Sequence, residues 1–256
     1  MIHHLLKLVS GGLITVAGIN GAPLMIEPSG RSLGGARSIN PWLKPRGNTL
    51  TIYLAQPPVA RNVTLPPAQA RAEVYSLVPD SPTNERAATL AKFERKTGDP
   101  TPLPVSREIP FEITVPPPAK LWAEAEKLTG LLSADKQQMK ALVQKLAEGI
   151  DRRSLDDLLP LLDYKIKDCA LAEGQTPEEM KQSTRELYSG QMFAEPSLKV
   201  DAAQVNNLEF KLIAGGQVVW IFQSLSKPAL VVESPNNRFT FTVFAARIDH
   251  VWRIVR

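Results

Sequence analysis

Cysteine is nearly absent: Cys169 is the only one in 256 residues, so no disulfide can form within the chain. It reads as a buried thiol on a helix, because cysteine packs as a small hydrophobe. A catalytic thiol would need a neighbouring base, and the three histidines offer little, since two are the adjacent His3 and His4. No Cys/His spacing fits a metal site. Neither a metal nor any other cofactor is expected, and no residue is assigned as catalytic. Charge is not concentrated either. The net charge is +4, and the excess cations are scattered singles such as Arg31, Arg37, Lys44 and Arg46. Nucleic-acid binders gather their cations into a stripe or run, so that partner class is excluded. No apolar run reaches the roughly 20 residues of a membrane span, which removes the membrane as a partner. The segment Leu5–Ile19 comes nearest, but Lys7, Ser10-Gly11-Gly12 and Thr15 interrupt it and deny it the apolar centre of a secretory leader. A cytoplasmic location is expected, with a periplasmic one open if a leader has been removed.

Proline, by contrast, is plentiful and unevenly placed. Most of the 22 prolines precede Lys120, ending in Pro116-Pro117-Pro118. Each ring removes a backbone donor and clashes with a preceding helical turn, so this half cannot be mostly helix. An amphipathic helical pattern starts directly afterwards. The expectation is two domains: an all-β sandwich over residues 1–116, and an α+β unit over 119–256. With 43% hydrophobic residues, each half can bury its own core.

In the first half, short β-prone runs recur at the spacing of a sandwich: Leu5–Val9, Leu13–Ile19, Pro23–Ile26, Thr49–Leu54, Ala72–Val78, Ala88–Phe93 and Ile109–Val115. A two-residue period puts Leu50, Ile52 and Leu54 on one face, and Phe111, Ile113 and Val115 on another. Turn chemistry separates the runs at Asn20-Gly21, Pro28–Gly30, Pro45–Asn48 and Pro79–Pro82. The segments Gly18–Pro23 and Ile39–Tyr53 together resemble the jelly-roll sugar-binding-like modules that accompany many glycoside hydrolases. The resemblance covers about forty residues. It implies that Trp42 and Leu43 plug one end of a sandwich, that Gly47 takes a positive φ, and that Asn48 caps the turn. It also implies carbohydrate recognition by an exposed aromatic ring, for which Trp42 and Tyr53 are the candidates, set against the alternative that Trp42 packs in the core.

In the second half, Leu121, Ala125, Leu128 and Leu132 share one helical face, followed by a stripe of Met139, Leu142, Val143, Leu146 and Ile150. Ser133 and Ser154 are expected as N-caps. Thr176-Pro177-Glu178-Glu179 combines a capping threonine, proline at the first helical position and glutamate three residues on; Met180, Leu187 and Tyr188 should then face inward. From Leu208 the period changes to two. Gly215-Gly216 and Asp249-His250 are expected as tight turns, and Arg238–Ile248 as one long strand.

Helices followed by an antiparallel sheet that closes on Arg247-Ile-Asp-His-Val-Trp-Arg-Ile-Val255, with the helical stretch Asp163–Met192 before it, resemble the nuclear transport factor 2-like superfamily. That likeness implies an α+β cone, with helices packed on a curved antiparallel sheet and a pocket at its open end. Asp163, Tyr164, Asp168, Tyr188 and Trp220 are the candidate pocket residues. An isomerase in such a cone would need an Asp base, with a tyrosine or a protonated acid against the enolate. Asp163, Tyr164 and Asp168 also fit a solvated helix face, and Trp220 fits core packing. No reactive constellation stands out. The leading reading is therefore a non-enzymatic binding or assembly protein whose partner is a protein or a small apolar ligand, with a homodimer formed through sheet faces. A small-molecule isomerase or hydratase in the cone, and carbohydrate recognition by the sandwich, are the alternatives.

Overall fold

The computed structural model describes residues 1–58, 64–77, 86–235 and 237–256. The chain forms two compact units, Met1–Pro117 and Pro118–Arg256.

The first unit is all β, with strands β1 (His4–Gly11), β2 (Ile14–Ile19), β3 (Ala22–Glu27), β4 (Leu33–Ser38), β5 (Asn48–Ala55), β6 (Gln69–Leu77), β7 (Arg86–Arg95) and β8 (Val105–Phe111). They make two four-stranded sheets, in the orders β4-β1-β6-β7 and β3-β2-β5-β8, and every pairing is antiparallel. Alternation decides which face is inside: Asn48, Leu50, Ile52 and Leu54 are buried along β5, with each intervening residue half-exposed. Leu6 and Leu8 of β1 and Ala72 and Val74 of β6 are likewise fully buried. Each such leucine contributes about 1.5–3 kcal/mol relative to exposure.

Asn20 and Gly21 take φ of 54° and 83° and place Ile19 opposite Ala22, as a two-residue hairpin turn requires. The Asn20 amide then ties this turn to the next segment. Its Nδ2 donates to the Trp42 carbonyl at 2.8 Å and to Asn48 Oδ1 at 3.0 Å, while its Oδ1 accepts from Thr49 N at 3.0 Å. Asn48 Oδ1 also accepts from Lys44 N at 2.8 Å, and Gly47 has φ of +66°.

Two features differ from the sequence reading. β4 was not expected, because Leu33-Gly-Gly-Ala-Arg-Ser is poor in β-formers; it forms because the neighbouring β1 presents a ladder to pair with over six residues. The last strand lies four residues earlier than expected and ends at Phe111, leaving Val115 58% exposed. Its Pro110 is tolerated because β8 is an edge. Val78 and the turn Pro79–Pro82 lie outside the described residues.

The second unit begins with α1 (Leu121–Glu124), α2 (Ser133–Asp151), α3 (Leu155–Leu161), α4 (Asp163–Glu173) and α5 (Pro177–Glu186), which runs on into a π turn at Leu187–Met192. The helix expected through Leu132 is cut to a single turn. Glu126 N bonds to the Arg247 carbonyl and Leu128 N to that of Gly216, both at 2.9 Å, so sheet contacts outcompete the helical ladder. In α2, Met139, Val143, Leu146 and Ile150 are buried. Ser133 is helical rather than a cap; the Asp135 carboxylate accepts from Leu132 N at 2.9 Å instead. Ser154 Oγ does cap α3, accepting from Asp157 N at 3.2 Å. Thr176 and Glu179 exchange reciprocal bonds at the start of α5. Tyr188 is buried, whereas Leu187 is 51% exposed, since the wider π turn rotates it out.

The strands that follow are β9 (Lys199–Val200), β10 (Glu209–Ile213), β11 (Val218–Ser224), β12 (Lys227–Pro228), β13 (Leu230–Glu233), β14 (Arg238–Phe241), β15 (Val243–Ile248) and β16 (Val251–Ile254). The strand expected over Arg238–Ile248 breaks at Thr242. β14 joins the three-stranded order β14-β13-β9, while β15 joins β10-β11-β15-β16, with β12 on β11. The turn after β10 spans four residues, because Ile213 pairs with Val218, with positive φ at Ala214, Gly215 and Gly216. Asp249 and His250, at φ of 50° and 62°, make the two-residue turn between Ile248 and Val251. Helices and sheets share one apolar interior, including Leu146, Ile150, Leu158, Val219, Leu230, Val243 and Trp252.

Candidate functional site

Three of the five candidate pocket residues, Asp163, Tyr164 and Asp168, lie on α4, and Tyr164 and Asp168 are close enough to interact. Asp168, on α4, is 2% exposed. Its Oδ1 accepts the Lys120 and Leu121 backbone N–H groups, and its Oδ2 accepts from Arg256 at 2.7 Å. The Arg256 side chain is 4% exposed, so this ion pair is buried on both sides. Tyr164, one turn earlier, donates to Glu124 Oε2 at 2.9 Å; burial, then that bond, push its phenol well above its ordinary pKa. Asp163 lies on the surface and pairs with Lys167 at 2.8 Å.

Tyr188 sits elsewhere in the interior, with ring centroids 5.8 Å from Phe193 and 6.2 Å from Phe241. Burial pushes its phenol up to about 12. Trp220 lies on the opposite face of β11 from Val219 and Ile221, which belong to the helix-packed core. Its ring stacks on Phe222 at 3.9 Å, and its buried Nε1 has no hydrogen-bond partner among the described residues.

Tyr188 gives a pH test. An unfolded tyrosine titrates near 10, and the folded group near 12. As pH rises between these values the unfolded chain releases its proton first, so a contribution fully present below about pH 10 is lost through about pH 12. The stability of wild type should fall more steeply across that window than that of Tyr188→Phe, as read by urea unfolding; equal slopes would refute the assignment.

Open depressions lie among the described residues of this unit. A groove of about 630 Å³ runs between α3, α4 and α5, over a floor of Leu159 and Ile166. Its rim mixes Asp156, Asp163 and Glu178 with Lys167, Lys181 and Arg185, so it favours neither sign of ligand. A smaller cavity of about 290 Å³ lies between α2 and residues 200–206, beside Glu148 and Asp151. Among the described residues, no cluster of three or more His, Cys, Asp or Glu side chains is placed to hold a metal, and no helix is long and apolar enough to cross a membrane. Cys169 is partly exposed on α4, not buried.

One polar network escaped the sequence reading. Glu126 accepts from Arg247 Nε at 2.7 Å and from the His250 backbone N–H at 2.9 Å, and its other contact is His250 Nδ1 at 3.0 Å. Burial opposes its ionisation, but the Arg247 bond and the His250 amide hold it below the usual carboxylate range. Asp135 accepts from Trp252 Nε1 at 3.1 Å and faces Arg247 at 3.5 Å. The partners lie more than a hundred residues apart, and the one local signal was that a buried indole N–H must find an acceptor.

In the first unit, Trp42 is 5% exposed, in a short 3₁₀ turn at Asn40–Trp42. It packs in the interior, as the core alternative for it expected, and presents no ring face to a sugar, which corrects the reading of Trp42 as a surface aromatic. Tyr53 is half-buried, on the outer side of β5. His4, at the start of β1, is 2% exposed with both its backbone N and Nδ1 against Asn40 Oδ1; burial lowers its pKa although the Asn40 contact opposes this.

The architecture is therefore an all-β unit followed by an α+β unit with helices packed on sheet. Comparison of the chain with protein-family models, with curated proteins and with solved structures finds no match.

Proposed function

We propose that the chain works by binding and assembly rather than by catalysis, holding a protein partner, a second copy of itself or a small apolar ligand. The surroundings of Asp168 carry this reading. A general base must come within about 2.6–3.2 Å of the proton it removes, yet both Asp168 oxygens are directed at backbone amides and at Arg256. Tyr164 and Asp163 are engaged in the same way with Glu124 and Lys167, and Tyr188 is enclosed by aromatic rings. We read the second unit as related to the nuclear transport factor 2-like proteins. Support comes from its order of helices before antiparallel strands and from Trp252-Arg253-Ile254 closing against β15; the break at Thr242 departs from one continuous curved sheet.

Native mass spectrometry of the purified full chain tests the proposal. The expected spectrum contains species heavier than the 28.1 kDa chain, through a second copy, a co-purified protein or a retained apolar molecule. The bare chain mass alone, together with saturable isomerisation of a β,γ-unsaturated ketone probe, would replace binding by catalysis.

A further inference from the structure

Strand edges carry unpaired N–H and C=O groups, and stable proteins guard them with proline, charge or bulges. Among the described residues of the first unit, three of the four sheet edges are guarded. β3 contains Pro23 and pairs through a register shift at Ala17/Gly18. β7 carries the Lys92–Glu94 ion pair and two register shifts. β8 contains Arg107, Glu108 and Pro110. β4 has neither proline nor bulge over its six paired residues, and Gly34, Gly35, Ala36 and Arg37 are exposed. Its one charge turns away: Arg37 Nη1 donates to the Leu24 carbonyl at 3.0 Å.

The direction of the β4 backbone groups follows from the ladder. Ile39 N bonds to the His4 carbonyl, and Leu77 N to that of His3. Alternate residues of an antiparallel strand bond to opposite neighbours, so even-numbered residues of β1 face β4 and odd-numbered ones face β6. Leu6 and Leu8 stand opposite Arg37 and Gly35. Gly35 and Arg37 thus spend their backbone groups on β1, while those of Gly34 and Ala36 point outward.

We propose that this edge pairs antiparallel with the β4 strand of a second copy, joining two four-stranded sheets into one across a twofold axis. The inference rests on the assembly reading and gives it a surface. Addition of a foreign strand draws specificity from pockets for alternate side chains, but a Cβ built at Gly34 meets nothing within 4 Å among the described residues, so the backbone itself is what is recognised. The edge is also self-complementary, as a twofold contact requires. Registers centred on Gly35 or Ala36 let the outward groups of Gly34 and Ala36 bond across the seam without setting Arg37 against its own copy.

Ala36→Pro and Gly34→Pro each remove one outward N–H and leave the β1 ladder whole, which is where proline is tolerated in a sheet. Sedimentation of wild type up to about 1 mM should show a concentration-dependent rise toward twice 28.1 kDa. Both variants should stay at the monomer mass, with unchanged circular dichroism and melting; should one of them melt early, the other decides. A wild type monomeric throughout overturns the proposal. A dimer that survives in a folded variant overturns the β4 seam while leaving the assembly reading standing.

Discussion

Asp168→Ala is expected to destabilise the second unit by about 3–5 kcal/mol, the range for removing one partner of a buried ion pair. The loss exceeds that of a surface bridge because Arg256, at 4% side-chain exposure, would keep its charge and lose the Asp168 carboxylate that faces it. The Lys120 and Leu121 amides would lose their acceptor as well, although water can reach part of that site. Urea unfolding followed by tryptophan fluorescence reads the effect. Asp163→Ala serves as the comparison: its bridge to Lys167 is more than half exposed on both sides, and such pairs contribute at most about 1 kcal/mol. Equal losses in the two variants would show that Asp168 is not the anchor described, and would reopen it as a group available to substrate.

Gly216→Ala is expected to cost about 2–4 kcal/mol, from left-handed backbone strain together with overlap in a packed site. Gly216 has φ of +90°, and an added Cβ would stand 2.2 Å from the Leu128 carbonyl oxygen. That oxygen is backbone and cannot swing aside, and Leu128 N is itself bonded to the Gly216 carbonyl. Relief would require the 126–130 segment to lift from the β10–β11 turn. Gly47→Ala separates the two contributions, because Gly47 has φ of +66° with nothing within 4 Å of an added Cβ among the described residues; it should lose only the strain, about 1 kcal/mol. A Gly216 variant no worse than the Gly47 variant would disprove the close approach to Leu128. Thermal melting of both variants provides the comparison.

Elements whose cause is local were legible in the sequence. Thr176 to Glu179 carry the whole capping arrangement within four residues, and the α2 stripe follows from a 3.6-residue period. Alternation in β5 and the Asn20-Gly21 turn are equally local. Elements that depend on a distant neighbour were not legible. The sequence pattern beyond Leu121 is good helix, yet Arg247 and Gly216 claim its backbone donors. Leu33–Ser38 has little strand propensity, yet β1 recruits it. Thr242 carries no breaker signal, yet the residues on either side of it pair with different sheets.

The candidate site divides along the same line. Residue type alone marked Asp163, Tyr164, Asp168, Tyr188 and Trp220 as possible pocket groups. Their partners in the fold decide what each can do: Arg256 lies 88 residues from Asp168, and Glu124 lies 40 from Tyr164. The amino-acid sequence by itself determined the change from strands to helices near Lys120, because proline geometry and side-chain periodicity act within a few residues. Only the tertiary structure decided which polar groups stay available for chemistry, since a carboxylate is consumed or left free by whatever distant donor the fold carries to it.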